Sequence, residues 1–394
     1  MSHAAGAANR PAPLSSAAQW ISSSAATSPL GSRGLHRRLR VHFFDAIRLI
    51  AIVCQIREIT MLKPMNSSSS ENLSRQSRTG AGERLPGTPE PMHRWRGAGD
   101  VWLAGDSWGD PANTLVVLQH GGGQTRHAWK GTGQVLGDAG YYAVAFDARG
   151  HGDSDWSRDG SYSQDLMVQD LQCVLSALGN RGCVLVGASM GGGTSLVAAG
   201  EHAVDALALV LVDIAPRIEP EGVQNIQAFM RRNPDGFGSL DEVAEAIASY
   251  QPHRTRPQSL QGLAKNVRLG VDGRYHWHWD PRFLQGHRDL AQRQTRLESC
   301  ARALDVPTLL VKGAKSDVLT DEGVQEFQAL APNSEYMNIA SAGHMVAGDR
   351  NDAFGKAVVE FLTRVVPADG TRLEWRERAE LIDRLNAPDL NDVP

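Results

Sequence analysis

The stretch Val184-Leu185-Val186-Gly187-Ala188-Ser189-Met190-Gly191-Gly192-Gly193 decides the reading of this chain. Its first half is a short apolar run, suited to a buried strand. It ends in Gly-x-Ser-x-Gly and passes into Thr194-Ser195-Leu196-Val197-Ala198-Ala199, small residues that read as a helix. A serine on a sharp strand-to-helix turn is held in a strained conformation, and a Cβ at Gly187 or Gly191 would collide with the neighbouring element. The turn lifts the hydroxyl above the sheet. It also puts the Met190 amide at a helix N-terminus, where unpaired N–H groups face an incoming oxyanion. In a chain with 40 glycines such a pentapeptide also arises by chance, so its weight depends on its surroundings.

Those surroundings agree with it on both sides. Upstream, Leu115-Val116-Val117-Leu118-Gln119 is a second buried-strand run, ending in His120-Gly121-Gly122-Gly123. Glycines there let backbone amides approach a ligand, which makes the Gly122 N–H a candidate second oxyanion donor. Tyr142 to Phe146 leads into Asp147-Ala148-Arg149-Gly150-His151-Gly152-Asp153-Ser154. Downstream, Pro307 to Gly313 is another apolar strand with Asp317 past its far end, and Tyr336 to Ile339 leads to Gly343-His344. Serine, aspartate and histidine thus follow in that order, each beyond the C-terminal end of an expected strand. Ligands of open parallel sheets bind at those ends.

With these four segments in this order, the chain resembles the α/β-hydrolase superfamily over roughly residues 93 to 366. It looks most like the group of small esterases, lactonases, C–C bond hydrolases and cofactor-free perhydrolases. The resemblance implies a mostly parallel central sheet flanked by helices, with a helical cap inserted after the sixth strand. It makes Ser189 the nucleophile, His344 the general base and Asp317 the orienting acid, with the Gly122 and Met190 amides as the oxyanion hole. It implies no cofactor. Asp213 is the second choice for the acid: it ends the apolar run Leu209 to Val212, and some superfamily members draw the acid from that earlier strand. Related epoxide hydrolases and haloalkane dehalogenases carry aspartate at the elbow, and Ser189 argues against both reactions.

The chemistry needs these residue types. A serine hydroxyl is a poor nucleophile until a base takes its proton during attack. Histidine, with an unperturbed pKa of about 6.5, suits that task. A carboxylate on its other nitrogen fixes the tautomer and stabilises the imidazolium. Two backbone donors stabilise the tetrahedral oxyanion, each worth about 10²–10³ in rate. The expected reaction is cleavage of a small carboxylic ester, thioester or lactone through an acyl-enzyme. C–C bond hydrolysis and cofactor-free perhydrolysis use the same triad and stay open. A ligand sensor on a hydrolase fold is the alternative from another class.

One further motif competes for a function. His276-Trp277-His278-Trp279-Asp280 resembles the His-x-His-x-Asp metal signature of metallo-β-lactamase-like hydrolases, since two histidines at that spacing can share a metal from one side of a strand. That signature continues with another histidine, where Pro281 stands here, so no metal is expected. The segment reads better as aromatic surface of a cap, with Trp277 and Trp279, together with Gly123, as candidate pocket residues.

Composition bounds the rest. The 394 residues carry a net charge of −4, which points to no nucleic-acid partner; the expected partner is a small-molecule substrate. Cys54, Cys173, Cys183 and Cys300 form no CxxC pair, and a reducing, cytoplasmic setting is the default. The expected layout is an α/β core over 93–214 and 301–366, a cap over 215–300 and a charged helical tail over 367–394. Residues 1–92 read as a disordered extension rich in Ser, Ala, Gly, Arg and Pro, with Met92 placed to start the enzyme. Their Arg- and Ser-rich, acid-poor beginning also resembles an organelle transit peptide. Leu39 to Cys54 suggests a short amphipathic helix, too short to span a bilayer. Oligomeric state is not legible.

Overall fold

The apolar runs that begin at Leu115, Tyr142 and Val184 become strands with no exposed residue, while the run from Tyr336 to Ile339 lies in a strand that exposes Tyr336 and Asn338. The computed structural model describes residues 80, 82–250, 260–285, 289–340, 342–346, 351–366 and 368–369. After a two-residue strand β1 (Glu83–Arg84), the main sheet contains β2 (His93–Arg96), β3 (Trp102–Trp108), β4 (Leu115–Gln119), β5 (Tyr142–Phe146), β6 (Cys183–Ala188) and β7 (Ala206–Val212). The insert adds β8 (Val267–Leu269) and β9 (Tyr275–Trp277), and β10 (Thr308–Gly313) and β11 (Ser334–Ile339) complete the main sheet. β4, β5, β6 and β10 are buried along their whole length. That is the signature of parallel strands covered on both faces.

The strand order is β11-β10-β7-β6-β4-β5-β3-β2, parallel from β11 to β5 and antiparallel at β3 and β2. Chain order reverses at β4, which lies between β5 and β6. The loops leaving β4 and β6 therefore diverge from a shared crevice, where this class of sheet binds ligands.

Helices α1 (Lys130–Asp138), α2 (Gln164–Ala177) and α3 (Met190–Gly200) follow β4, β5 and β6. Helices α4 (Pro220–Met230) and α5 (Leu240–Tyr250) lie in the insert, and α6 (Leu290–Arg302), α7 (Asp321–Leu330) and α8 (Asn351–Val365) complete the set among the described residues. Strand alternation sends Val116 and Leu118 to one layer, with Leu136, Phe354, Val358 and Phe361 of α1 and α8. Leu115 and Val117 enter the other, with Leu171, Leu196, Leu297 and Phe327 of α2, α3, α6 and α7. Side chains secure helix starts: Ser163 accepts the Leu166 N–H, Ser239 that of Glu242 and Thr320 that of Gly323, each at 3.2 Å, and Asp289 that of Gln292 at 3.0 Å.

The insert follows the sixth strand of the main sheet, as expected, and has its own core of Met230, Phe237, Val243, Trp277, Trp279 and Phe283. Besides α4 and α5 it contains a three-stranded antiparallel sheet, β1-β8-β9. Two expected boundaries need correction. Helix α6, assigned to the cap by the 215–300 boundary, belongs to the core. Leu297, Cys300 and Ala301 pack among core side chains, and a Cβ on Gly200 of α3 would strike the Cys300 backbone. The second correction concerns the expected start near Met92. Glu83 and Arg84 pair with Leu269 and Arg268, Arg84 forms an ion pair with buried Asp153 at 3.1 Å, and Leu85 joins the cap core. Packed structure thus extends upstream of Met92, because the cap sheet takes its edge strand from there. The expected helix over Leu39–Cys54, the transit-peptide reading and the charged helical tail beyond residue 369 lie outside the described residues. Among the described residues no helix is long and apolar enough to cross a membrane.

Candidate active site

Sharp turns at the C-terminal ends of β4, β6 and β7 build the site. Ser189 has φ 48° and ψ −108°, left-handed backbone that costs a non-glycine residue about 1–3 kcal/mol. The surroundings enforce it: the Ser189 N–H donates to Val212 O at 3.1 Å, and its carbonyl accepts the Gly193 N–H at 2.9 Å. The flanking glycines are obligatory for packing. A Cβ on Gly187 would run into the Gly191 carbonyl, and one on Gly191 into the Gln119 carbonyl. The hydroxyl sits at the start of α3 facing a cleft of about 1810 Å³ between core and insert.

Gly121, Gly122 and Gly123 line the same cleft, as do Met190 and His344. Gly121 O accepts the Gln124 N–H at 3.1 Å, closing a turn in which Gly123 has φ 73°, a value glycine adopts without strain. Among the described residues, neither the Gly122 nor the Met190 amide donates to a protein acceptor. Both are available to a developing oxyanion.

The carboxylate that the structure brings to His344 is that of Asp213, the second choice, and not that of Asp317. His344 Nδ1 lies 2.6 Å from Asp213 Oδ2; a carboxylate only accepts, so the ring donates from Nδ1 and presents Nε2 to the cleft. Asp213 follows β7 in a left-handed conformation, φ 53°, with no exposed surface. Oδ1 accepts the Gly313 N–H at 2.9 Å, and Oδ2 also accepts from the Ser316 hydroxyl. Asp317, the first choice, is exposed and forms no hydrogen bond to His344. The turn after β10 puts Ser316 in the interior position instead. Its Oγ also accepts the Val318 and Leu319 N–H groups, so the turn closes one residue before Asp317. Ser189 Oγ has no hydrogen-bond partner among the described residues.

The expected pocket residues Trp277 and Trp279 are both buried and stacked at 4.8 Å, and they line the cleft together with Phe229, Tyr250 and Phe283. They also form the cap core, so one set of rings packs the insert and walls the cleft. The members of His276-x-His278-x-Asp280 turn to separate partners. His276 pairs with Asp272 at 2.9 Å, His278 accepts the Gly152 N–H at 2.8 Å, and Asp280 meets Tyr162 and Arg282. Their side chains do not converge on one point.

A charge network beneath the cleft gave no signal in the sequence. Arg126, three residues past the glycine turn, has no exposed surface and bridges Asp106, Asp147 and Asp153 at 2.9, 2.7 and 2.8 Å. Burial pushes the Asp147 carboxyl up, but Arg126 beside it, with His120 and two backbone amides, outweighs that and holds it well below the usual carboxylate range. Asp153 also holds Arg268 of the insert at 2.9 Å. The residues of the 147–153 loop thus organise structure: Arg149, likewise, is bidentate to Asp170 at 2.6 Å.

His127 follows in the same turn. Burial, then the Arg126 charge, lowers its pKa from 6.5 to about 4. The unfolded chain takes up this proton as pH falls through 6.5 and the folded chain does not, so stability falls toward acid. Between pH 7 and pH 5 this group alone removes about 2 kcal/mol. Urea denaturation of His127→Gln against wild type at the two pH values should show that much less acid loss in the variant. Parallel pH dependences would contradict the assignment.

The α/β hydrolase fold family model matches residues 114–350, which include Gly122, Ser189, Met190, Asp213 and His344. An esterase of Mycobacterium tuberculosis is 29% identical over 265 residues, covering 66% of this chain and 84% of that protein. An sn-1-specific diacylglycerol lipase of Mus musculus is 30% identical over 265 residues, covering 64% of this chain and 82% of the lipase. A crystal structure of the mycobacterial esterase superposes with a TM-score of 0.56 at 29% identity, over 70% of this chain and 92% of that one. E-2-(acetamidomethylene)succinate hydrolase superposes with a TM-score of 0.61 at 21% identity, over 69% and 98%, a likeness of fold. With the family match covering more than half its length, the chain belongs to the α/β-hydrolase fold family.

Proposed function

We propose that this protein is a serine hydrolase that cleaves a small carboxylic ester, thioester or lactone through an acyl-enzyme on Ser189. The reading rests on one arrangement: a strained serine at a helix N-terminus, across a cleft from an imidazole whose other nitrogen is held by a buried carboxylate. His344 Nε2 takes the Ser189 proton as Oγ attacks the carbonyl carbon. Asp213 keeps the imidazole in the tautomer that can accept it and stabilises the imidazolium. The Gly122 and Met190 amides receive the oxyanion. His344 then protonates the leaving alcohol, thiol or ring oxygen, and a water activated by the same nitrogen hydrolyses the acyl-enzyme. The named esterase and lipase relatives support an ester substrate, and the aromatic wall of Phe229, Trp277 and Trp279 favours an apolar acyl or alcohol group. C–C bond hydrolysis and perhydrolysis need the same groups and separate only by substrate.

The test is intact-mass labelling with a fluorophosphonate. Wild type should gain one adduct and a Ser189→Ala variant none. A well-folded wild type that takes no label would favour the sensor alternative, in which binding is the output.

A further inference from the structure

The glycine turn that carries Gly122 is held by two histidines in opposite tautomers, one from the core and one from the insert. The Ala148 N–H donates to His120 Nε2 at 2.9 Å, so the His120 proton sits on Nδ1 and is donated to Gly121 O at 2.8 Å. The Gly152 N–H donates to His278 Nδ1, so the His278 proton sits on Nε2, which donates to Gly123 O at 3.3 Å. Both rings are fully buried, and burial lowers both pKa values, keeping the rings neutral.

Peptide planarity connects these contacts to the catalytic amide. Gly123 O shares a peptide unit with the Gln124 N–H, which donates to Gly121 O. Gly121 O in turn shares a peptide unit with the Gly122 N–H. A donor on Gly123 O therefore sets the plane that sets the plane of the oxyanion donor. Two other insert side chains touch the turn: the Phe283 ring lies 3.6 Å from where a Gly122 Cβ would stand, and Met230 lies 3.3 Å from the same place on Gly123.

We propose that His278 is a positioning residue that orients the Gly122 amide, so that the oxyanion hole is completed by the insert and not by the core alone. This rests on the serine-hydrolase reading above. Seating of the insert and catalytic competence then become one event. His120 of the core still holds Gly121 O directly, so loss of the insert's contact loosens the oxyanion donor and does not release it.

The test compares His278→Asn with His278→Gln in the full chain, using p-nitrophenyl butyrate and a trifluoromethyl ketone. Asparagine keeps an acceptor for Gly152 near the Nδ1 position but has no donor reaching Gly123 O. Glutamine places its amide N–H near the Nε2 position. The asparagine variant should lose at least about tenfold in kcat with KM within about twofold, since full loss of an oxyanion donor costs about 10²–10³. Its ketone Ki should weaken by the same factor as kcat/KM, and glutamine should recover most of both. A thermal melt run alongside should show similar stability for the two variants. Equal kcat in the two variants, or a loss confined to KM, would overturn the positioning role while leaving the hydrolase reading intact. Full activity in Ser189→Ala would overturn both.

Discussion

Asp213→Asn should lower kcat by about 10⁴-fold, and Asp317→Asn should leave it within about threefold of wild type. Asparagine at 213 offers His344 an amide in place of a carboxylate. Its N–H₂ can face Nδ1, and the imidazole then protonates on Nε2, the nitrogen that must accept the Ser189 proton. The loss comes from the wrong tautomer together with an unstabilised imidazolium. Asp213 keeps its fold role in part, because Asn tolerates φ 53° and its oxygen can still accept the Gly313 N–H. Asp317 is exposed and makes none of these contacts. Steady-state kinetics on both variants decide the matter. A larger effect at Asp317 would mean that the loop after β10 rearranges in the active state.

The two candidate acids show where a sequence stops being legible. Both Asp213 and Asp317 follow an apolar run, and the strands end where each run ends. Strand existence depends on burial, which hydrophobic runs report directly. Which of two carboxylates, one 131 positions before the histidine and the other 27, reaches it depends on turn geometry, and that is set by single contacts. Here a serine at 316 occupies the interior place that an aspartate one position on does not reach. The elbow was legible for the opposite reason: Gly187 and Gly191 are sterically forced, so their spacing carries the geometry. The same contrast separates the insert's helices, which the family resemblance implies, from its sheet. β8 and β9 are three residues each, and β1, which pairs with β8 on the other side from β9, lies some 180 positions upstream. Nothing local in Glu83-Arg84 announces a strand.

Arg126→Met should destabilise the protein by about 3–5 kcal/mol, the scale for removing one partner of a buried ion pair. No apolar side chain can answer the three carboxylates that Arg126 holds. Asp147 suffers most from the change: it has no exposed surface and loses its guanidinium contact, keeping the backbone N–H groups of residues 126 and 153 at 2.6 and 2.8 Å. Asp153 retains Arg268 and Arg84, so it should tolerate the change better. The variant's stability should therefore recover as pH falls and Asp147 takes a proton, opposite in sign to the His127 trend. Replacing Asp147 by Asn in the same variant should restore part of the loss at neutral pH, since a neutral amide needs no counter-ion. Urea denaturation of the single and double variants measures the coupling. A loss below about 1 kcal/mol in Arg126→Met would mean that water reaches Asp147 once the arginine is gone. A loss of the expected size, relieved by Asp147→Asn, would make this network the joint that ties the glycine turn, the 147–153 loop and the insert into one unit.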